Sequence, residues 1–173
     1  AYLPVEALLP PFARLLTLKP VLGLRTFANT MARELNPFRA PCQIQGVFHP
    51  AYLELHRATQ RLLGQPAAAV FKGGGGEGQR NPEKPCRVLG PGGGETLWPA
   101  LTPGAGYPWR DEPLDCRRLA ALWTGEANDP APVAAVTGTA AIALKLLGRA
   151  PDVEWSQELA ERMWRERDRA LPV

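Results

Sequence analysis

Metal and disulfide chemistry have little to work with in this sequence, which holds three cysteines (Cys42, Cys86 and Cys116) and two histidines (His49 and His56) in 173 residues. The cysteines are an odd number, far apart and without a C-x-x-C pair, so neither a disulfide framework nor a zinc module is indicated. Neither histidine sits in H-E-x-x-H or beside a candidate nucleophile at triad spacing. No catalytic residue and no metal ligand can therefore be named, and both histidines are expected at helix-entry or surface positions. A reduced, cytoplasmic protein is expected. Long apolar runs are also missing: the longest uncharged stretch, Pro130 to Leu144, is too short for a bilayer and is interrupted by Thr-Gly-Thr. The opening "AYLPVEALLPPFARLL" lacks a basic segment ahead of a compact apolar core, so no signal peptide and no membrane contact are read.

A large excess of one charge is lacking too. Twenty Lys and Arg against 17 Asp and Glu give a net charge of +3, which permits a polyanionic partner without demanding one. What is present is an ordinary globular composition, 45% hydrophobic and 21% charged. The 17 glycines and 19 prolines stay below the range of about 25–30% that marks low-complexity chains. The length suits one domain that buries roughly two-thirds of its unfolded surface.

Periodicity organises the chain. In "RTFANTMAREL", Phe27, Met31 and Leu35 recur every four residues and predict one helical face. "QIQGVFH" (Gln43–His49) reads as a strand. The segment after it reads as a helix entered at Pro50 and left at Gly64, with Leu55 and Leu62 inward. "AAAVF" (Ala67–Phe71) is the next strand, and the order β-α-β implies a parallel pair, hence an α/β fold. Gly73 to Pro113 is a Gly/Pro-dense loop region with an edge strand near "ETLWPAL". Three helices follow. The first runs from the acids and Pro113 to Gly125, and the second, capped by Asp129, is apolar enough to be the buried one. The third is capped by Asp152, with Trp155, Leu159 and Met163 on one face. Its Arg162, Arg165, Arg167 and Arg169 read either as a nucleic-acid contact or as a solvated face paired through Glu158–Arg162 and Glu161–Arg165.

The stretch "FKGGGGEGQRNPEKP" is the most informative. Gly73, Gly75 and Gly78 satisfy G-x-G-x-x-G after a strand, but Asn81-Pro82 and Lys84-Pro85 prevent the helix that a dinucleotide fingerprint must open. No Lys-Ser/Thr pair closes the glycines, which rules out Walker A. What remains is a loop at the carboxyl end of a parallel strand. The backbone of Gly73, Gly74, Gly75 and Gly76 could donate to an anion there, with Lys72, Arg80 and Lys84 supplying charge; the alternative is a mobile turn. "GAGYPW" offers Tyr107 or Trp109 for stacking a base, or for packing over a loop.

The segments "LGLRTFANTMARELNP", "QIQGVFHPAYLELH" and "AAAVFKGGGGEGQ", with the helices from Leu114 onward, resemble the anthranilate phosphoribosyltransferase family. The resemblance implies an α/β domain attached to a small helical domain, assembled as a homodimer. It also places that helical domain and a first Gly-rich loop upstream of Ala1, so the chain reads as a C-terminal portion whose partner is the upstream half. Carried over one position at a time, the family's magnesium-holding Asp-Glu pair falls on Gly78 and Gln79. Its His-Pro falls on Leu9-Pro10, its carboxylate-gripping Arg on Lys19, and its tunnel-lining Gly-Pro on Ala32-Arg33. Asn29 keeps register with the family motif and joins Lys19 and Arg33 in the expected ligand set. The pattern resembles a divergent branch that keeps the fold, lacks anthranilate transfer and in some members binds nucleic acid. Two functions follow: binding of a phosphate-bearing small molecule, with Mg2+ only where phosphoribosyl diphosphate binding is retained, or salt-sensitive nucleic-acid binding.

Overall fold

The computed structural model describes residues 3–24, 26–104 and 115–170, which fall into two compact units, Ala1–Ala40 and Pro41–Val173. The first unit is a series of short helices: α1 (Val5–Leu8), α2 (Pro10–Leu16), α3 (Lys19–Leu22) and α4 (Ala28–Met31). Prolines stand at the first turns of α2 and α3, where their missing N–H is harmless, and Gly23 ends α3 at φ +70°. The single helix expected over "RTFANTMAREL" is instead α4 followed by a 3-10 turn, Ala32–Glu34. Three residues per turn break the four-residue rhythm. Phe27 and Met31 are exposed, and Ala28 is the buried position.

The second unit carries a four-stranded sheet in sequence order, β1 (Cys42–Val47), β2 (Ala67–Lys72), β3 (Cys86–Leu89) and β4 (Glu95–Trp98). β1 and β2 are parallel, from Cys42 opposite Ala67 to Val47 opposite Lys72, and a crossover helix, α5 (Leu53–Leu62), joins them. The α/β class is as expected. The parallel pairing stops there, however, because β3 and β4 continue the sheet antiparallel as a hairpin turned at Gly90–Gly94. β4 is the expected edge strand. β3 escaped notice because four residues interrupted by Arg87 give no recognisable alternation.

The two faces of the sheet bury different sets. Ala69, Phe71, Cys86, Val88 and Trp98 pack under α7 (Pro130–Leu146) and α8 (Val153–Arg165), while Val47, Val70 and Leu89 meet Leu53 of α5. α5 is rotated relative to expectation. Its inner face is Leu53, His56 and Gln60, whereas Leu55 and Leu62 are 52% and 85% exposed. A 3-10 turn, Pro50–Tyr52, leads into the helix. His56, expected at the surface, is 2% exposed.

Side-chain caps start each of the remaining helices, Asp129 and Asp152 where the sequence announces them and Asp115 where it does not. Asp115 accepts from the Arg117 N–H at 2.9 Å to start α6 (Cys116–Thr124), Asp129 caps α7, and Asp152 accepts from Trp155 at 2.7 Å to start α8. α7 is buried at Ala135, Thr137, Gly138, Ala141 and Ile142, as its composition requires. α8 does not bury Trp155 and Met163; Ser156 and Ala160 face inward, because small residues let two helices approach closely. Among the described residues no ion pair joins Glu158 to Arg162 or Glu161 to Arg165, and Glu161 accepts instead from the Gln157 amide at 2.9 Å. No described helix is long and apolar enough to cross a membrane.

The ends of β1 and β2 impose the tightest local constraint. A Cβ at Gly46 would lie 1.8 Å from the Glu77 carbonyl oxygen, and one at Gly73 would lie 1.7 Å from the same atom. Both distances are far inside van der Waals contact with backbone that cannot swing away. Gly75, at φ +63°, meets nothing within 4 Å. In denaturant titrations Gly46→Ala and Gly73→Ala are expected to lose about 3 kcal/mol or more. Gly75→Ala should lose only the left-handed backbone penalty of about 1 kcal/mol. Equal losses at the three sites would contradict the close approach.

Candidate functional site

The loop leaves β2 at Lys72, whose side chain is exposed, and closes on itself by a bridge between Gly73 and Arg80. Its amides are largely engaged within the protein. Gly73 N–H donates to Val47 O at 3.0 Å, Gly74 N–H to Gln79 O at 2.7 Å, Gly76 N–H to Gly73 O at 3.3 Å and Glu77 N–H to Gly74 O at 3.0 Å. Gly74–Gly76 form a 3-10 turn in which Gly75 and Gly76 take φ +63° and +88°. The glycines therefore serve the loop's own fold. In this geometry Gly73, Gly74 and Gly76 are not a row of outward donors, because each amide already points at a carbonyl of the chain.

Arg80 differs most from its sequence reading. Its side chain is fully buried, with 0% exposure, rather than presented to an anion outside. Its backbone N–H donates to Thr139 Oγ1 at 2.9 Å, its Nη2 donates to the Pro99 carbonyl, and its guanidinium lies 5.3 Å from the Trp98 ring. Gly138 of α7 makes the room: a Cβ there would stand 3.1 Å from Arg80 Cδ. Burial pushes the guanidinium pKa below its ordinary value, with the Cys86 thiol acting in the opposite sense. Nε and Nη1 have no hydrogen-bond partner among the described residues. Arg80 thus pins the loop to α7 and to the end of β4. Sequence reasoning missed this anchor, although a Thr-Gly-Thr inside an otherwise apolar helix was its trace.

Lys84 is exposed beyond a turn in which Glu83 N–H donates to Asn81 Oδ1 at 2.9 Å. The Pro82 carbonyl of that turn accepts from Leu101 at 2.7 Å and Thr102 at 3.0 Å, which fixes the turn against the residues after β4. Lys72 and Lys84 are accordingly the expected site cations of this unit that face solvent, and Glu77 of the loop is exposed as well. The other expected residues belong to the first unit. Lys19 is exposed at the start of α3, Asn29 Oδ1 accepts from Thr26 N–H at 3.0 Å, and Arg33 Nη1 donates to the Asn29 carbonyl at 2.9 Å. Tyr107 and Trp109 lie outside the described residues.

The residues present do not fit magnesium. Gly78 brings no side chain, Gln79 brings a half-buried amide, and among the described residues no three of His, Cys, Asp and Glu gather in one place. Magnesium is held against phosphate by hard oxygen ligands, normally carboxylates.

The described architecture, a sheet with one parallel pair and helices on both faces, is also found in a known phosphoribosyltransferase. The crystal structure of anthranilate phosphoribosyltransferase from Thermus thermophilus matches 90% of this chain at a TM-score of 0.71 and 22% identity, and the match takes in 48% of that structure. In sequence, the chain is 30% identical over 145 residues to an anthranilate phosphoribosyltransferase of Serratia proteamaculans, which is 79% of this chain and 43% of that protein. It is 34% identical over 80 residues to the enzyme of the same name from Oleidesulfovibrio alaskensis, 24% of that protein. An uncharacterized protein of Aquifex aeolicus is 30% identical over 79 residues, 26% of its length. No family model matches the chain. The chain is a relative of the anthranilate phosphoribosyltransferases over most of its length, and it spans less than half the length of those relatives.

The loop's anchor is open to test at two residues. Cys86 is 5% exposed, and burial pushes its thiol up to about 11 despite the nearby Arg80 and Lys72 cations. The neutral thiol's contribution to stability is whole below the unfolded value of about 8.5 and is lost as pH rises from there toward the folded value. At pH 8 a maleimide should label exposed Cys116 at once and Cys86 only after denaturant is added; rapid labelling of Cys86 in the native protein would contradict its burial. The other residue is Arg80, a buried cation without a carboxylate. Arg80→Met, which fills the same space without a charge, should leave the unfolding midpoint nearly unchanged, whereas Arg80→Ala should lose about 2–4 kcal/mol to a cavity.

Proposed function

We propose that the chain is part of a divergent phosphoribosyltransferase-like protein that binds a phosphate-bearing ligand without transferring it to anthranilate. Lys72 carries this reading: an exposed cation at the carboxyl end of the parallel β1–β2 pair, where open α/β sheets take their ligands. Lys84 adds charge to the same loop region, and Lys19, Asn29 and Arg33 of the first unit belong to the proposed ligand set through the family register. Gly78 and Gln79 in place of the carboxylate pair argue for binding without magnesium. Lys19 in place of an arginine loses the bidentate grip on a carboxylate, and Arg33 sets a large cation where the family lines its aromatic-acid tunnel with small residues. Pairing with an upstream half and homodimer formation are part of the same proposal.

A second reading, salt-sensitive nucleic-acid binding, is favoured by one observation. Because the amides of Gly73, Gly74 and Gly76 are engaged, the loop offers lysine point charges rather than a shaped backbone cradle, and point charges suit backbone phosphates of any sequence.

Calorimetric titration with phosphoribosyl diphosphate tests the first reading. Binding at millimolar ligand or below is expected, unchanged by magnesium and weakened about tenfold or more by Lys72→Glu with Lys84→Glu. No binding would overturn it, and magnesium-dependent binding would restore the transferase reading. Anisotropy of a labelled generic oligonucleotide tests the second. Micromolar affinity that collapses between low and physiological salt would support it, and no binding at low salt would remove it.

A further inference from the structure

The segment that leaves α8 alternates charge, Arg165-Glu166-Arg167-Asp168-Arg169, and the fold sorts that alternation by sign. A cavity of about 480 Å3 opens between the end of α6, the start of α7 and this segment. All three arginines line it, and neither Glu166 nor Asp168 does. Leu122, Val133 and Trp164 supply its apolar wall.

The cavity is built rather than incidental. Arg167 donates to the carbonyls of Leu122 and Trp123, each at 2.9 Å, and to Trp164 O at 2.6 Å, and it stacks 3.8 Å from the Trp164 ring centre. Trp123 Nε1 donates to Ala170 O at 2.9 Å, and the two indoles meet edge to face at 5.9 Å. These contacts hold the exit segment against the C-terminal end of α6. Arg167 is thereby committed to the scaffold. Arg165 and Arg169 are exposed, and among the described residues neither guanidinium has a hydrogen-bond or ion-pair partner. Arg169 lies over Gly125, whose left-handed backbone (φ +86°) and missing side chain leave it room: a Cβ there would meet Nη1 at 3.1 Å.

We propose that this cavity is a second ligand site, for a small organic phosphate, with the phosphate between Arg165 and Arg169 and an apolar body against Leu122, Val133 and Trp164. Planar guanidinium forks match phosphate oxygens two at a time. The volume lies within the range of small-molecule pockets, roughly 300–1,000 Å3. A concave, apolar-walled shape suits a compact ligand better than an extended polyanion, whose phosphates would need a track of cations. The site stands apart from the Gly73–Gln79 loop and does not depend on the function proposed there.

Phenyl phosphate is the probe, titrated at low salt by calorimetry and by indole fluorescence. Inorganic phosphate serves as the head alone and phenol as the body alone. Phenyl phosphate is expected to bind saturably, more tightly than either fragment. Arg165→Gln with Arg169→Gln should raise its Kd about tenfold or more. Asn128→Asp, which sets a negative charge in the lining and leaves every arginine in place, should also weaken binding and decides the matter if the double variant does not fold. Lys72→Gln with Lys84→Gln should leave the Kd unchanged. Absence of saturable binding at millimolar probe, insensitivity to both cavity changes, or loss only in the Lys72/Lys84 variant would each overturn the proposal; the last would return the ligand to the glycine loop.

Discussion

The Glu77 carbonyl oxygen occupies the place that a side chain at Gly46 or at Gly73 would need. Two strand ends and one loop are therefore interlocked through backbone alone, and no rotamer change can relieve a substitution at either glycine. The parallel pair brings Gly46 and Phe71 side by side in register, so the loop that follows Phe71 can fold back only across Gly46. The compactness of the loop, its internal hydrogen bonds and the outward placement of Lys72 are consequences of that contact.

Arg80 secures the other end of the loop by a different kind of interaction. A guanidinium without a carboxylate is expensive to bury, yet here it lies against Trp98 and over Gly138, with backbone and carbonyl contacts to α7 and to the end of β4. The same device recurs at Arg167, which also stacks on indole and donates to carbonyls rather than to an acid. In both cases an arginine ties an irregular segment, the glycine loop or the exit from α8, to the elements beside it. Reading arginines as surface cations by default overlooks this use of the planar head, which can make apolar contact on its face and hydrogen bonds at its edge.

Which features were legible depended on whether the signal was local. The caps Asp129 and Asp152, the exit glycines Gly64 and Gly125 and the β1–α5–β2 crossover rest on residue chemistry within a few positions, and they stand as read. The inner faces of helices did not. On α5 the periodic leucines point outward and His56 and Gln60 inward, and on α8 Ser156 and Ala160 displace Trp155 and Met163. Which face a helix buries is settled by the shape of what it packs on, and on α8 the close approach to α7 selects small residues over the most hydrophobic ones. The antiparallel hairpin was half legible for a similar reason, since β3 is too short to display a period. Of the candidate site, the position of the loop was legible; the inward turn of its amides and of Arg80 was not, because nothing in the loop's own residues records that Thr139 and Pro99 lie within reach.

The uncharged residues Gly78 and Gln79 and the inward-turned amides bear on one electrostatic question. Gly78 and Gln79 bring no carboxylate to the loop, and Lys72 and Lys84 are both exposed. An anion that arrives there is attracted by side-chain charge directly and needs no bridging cation. That attraction is paid for in selectivity, because flexible ammonium groups impose little geometry on what they hold and are screened over about 8–10 Å at ordinary salt. A loop built this way suits ligands that bring several phosphates, where many weak contacts add, better than a single precisely oriented reaction centre.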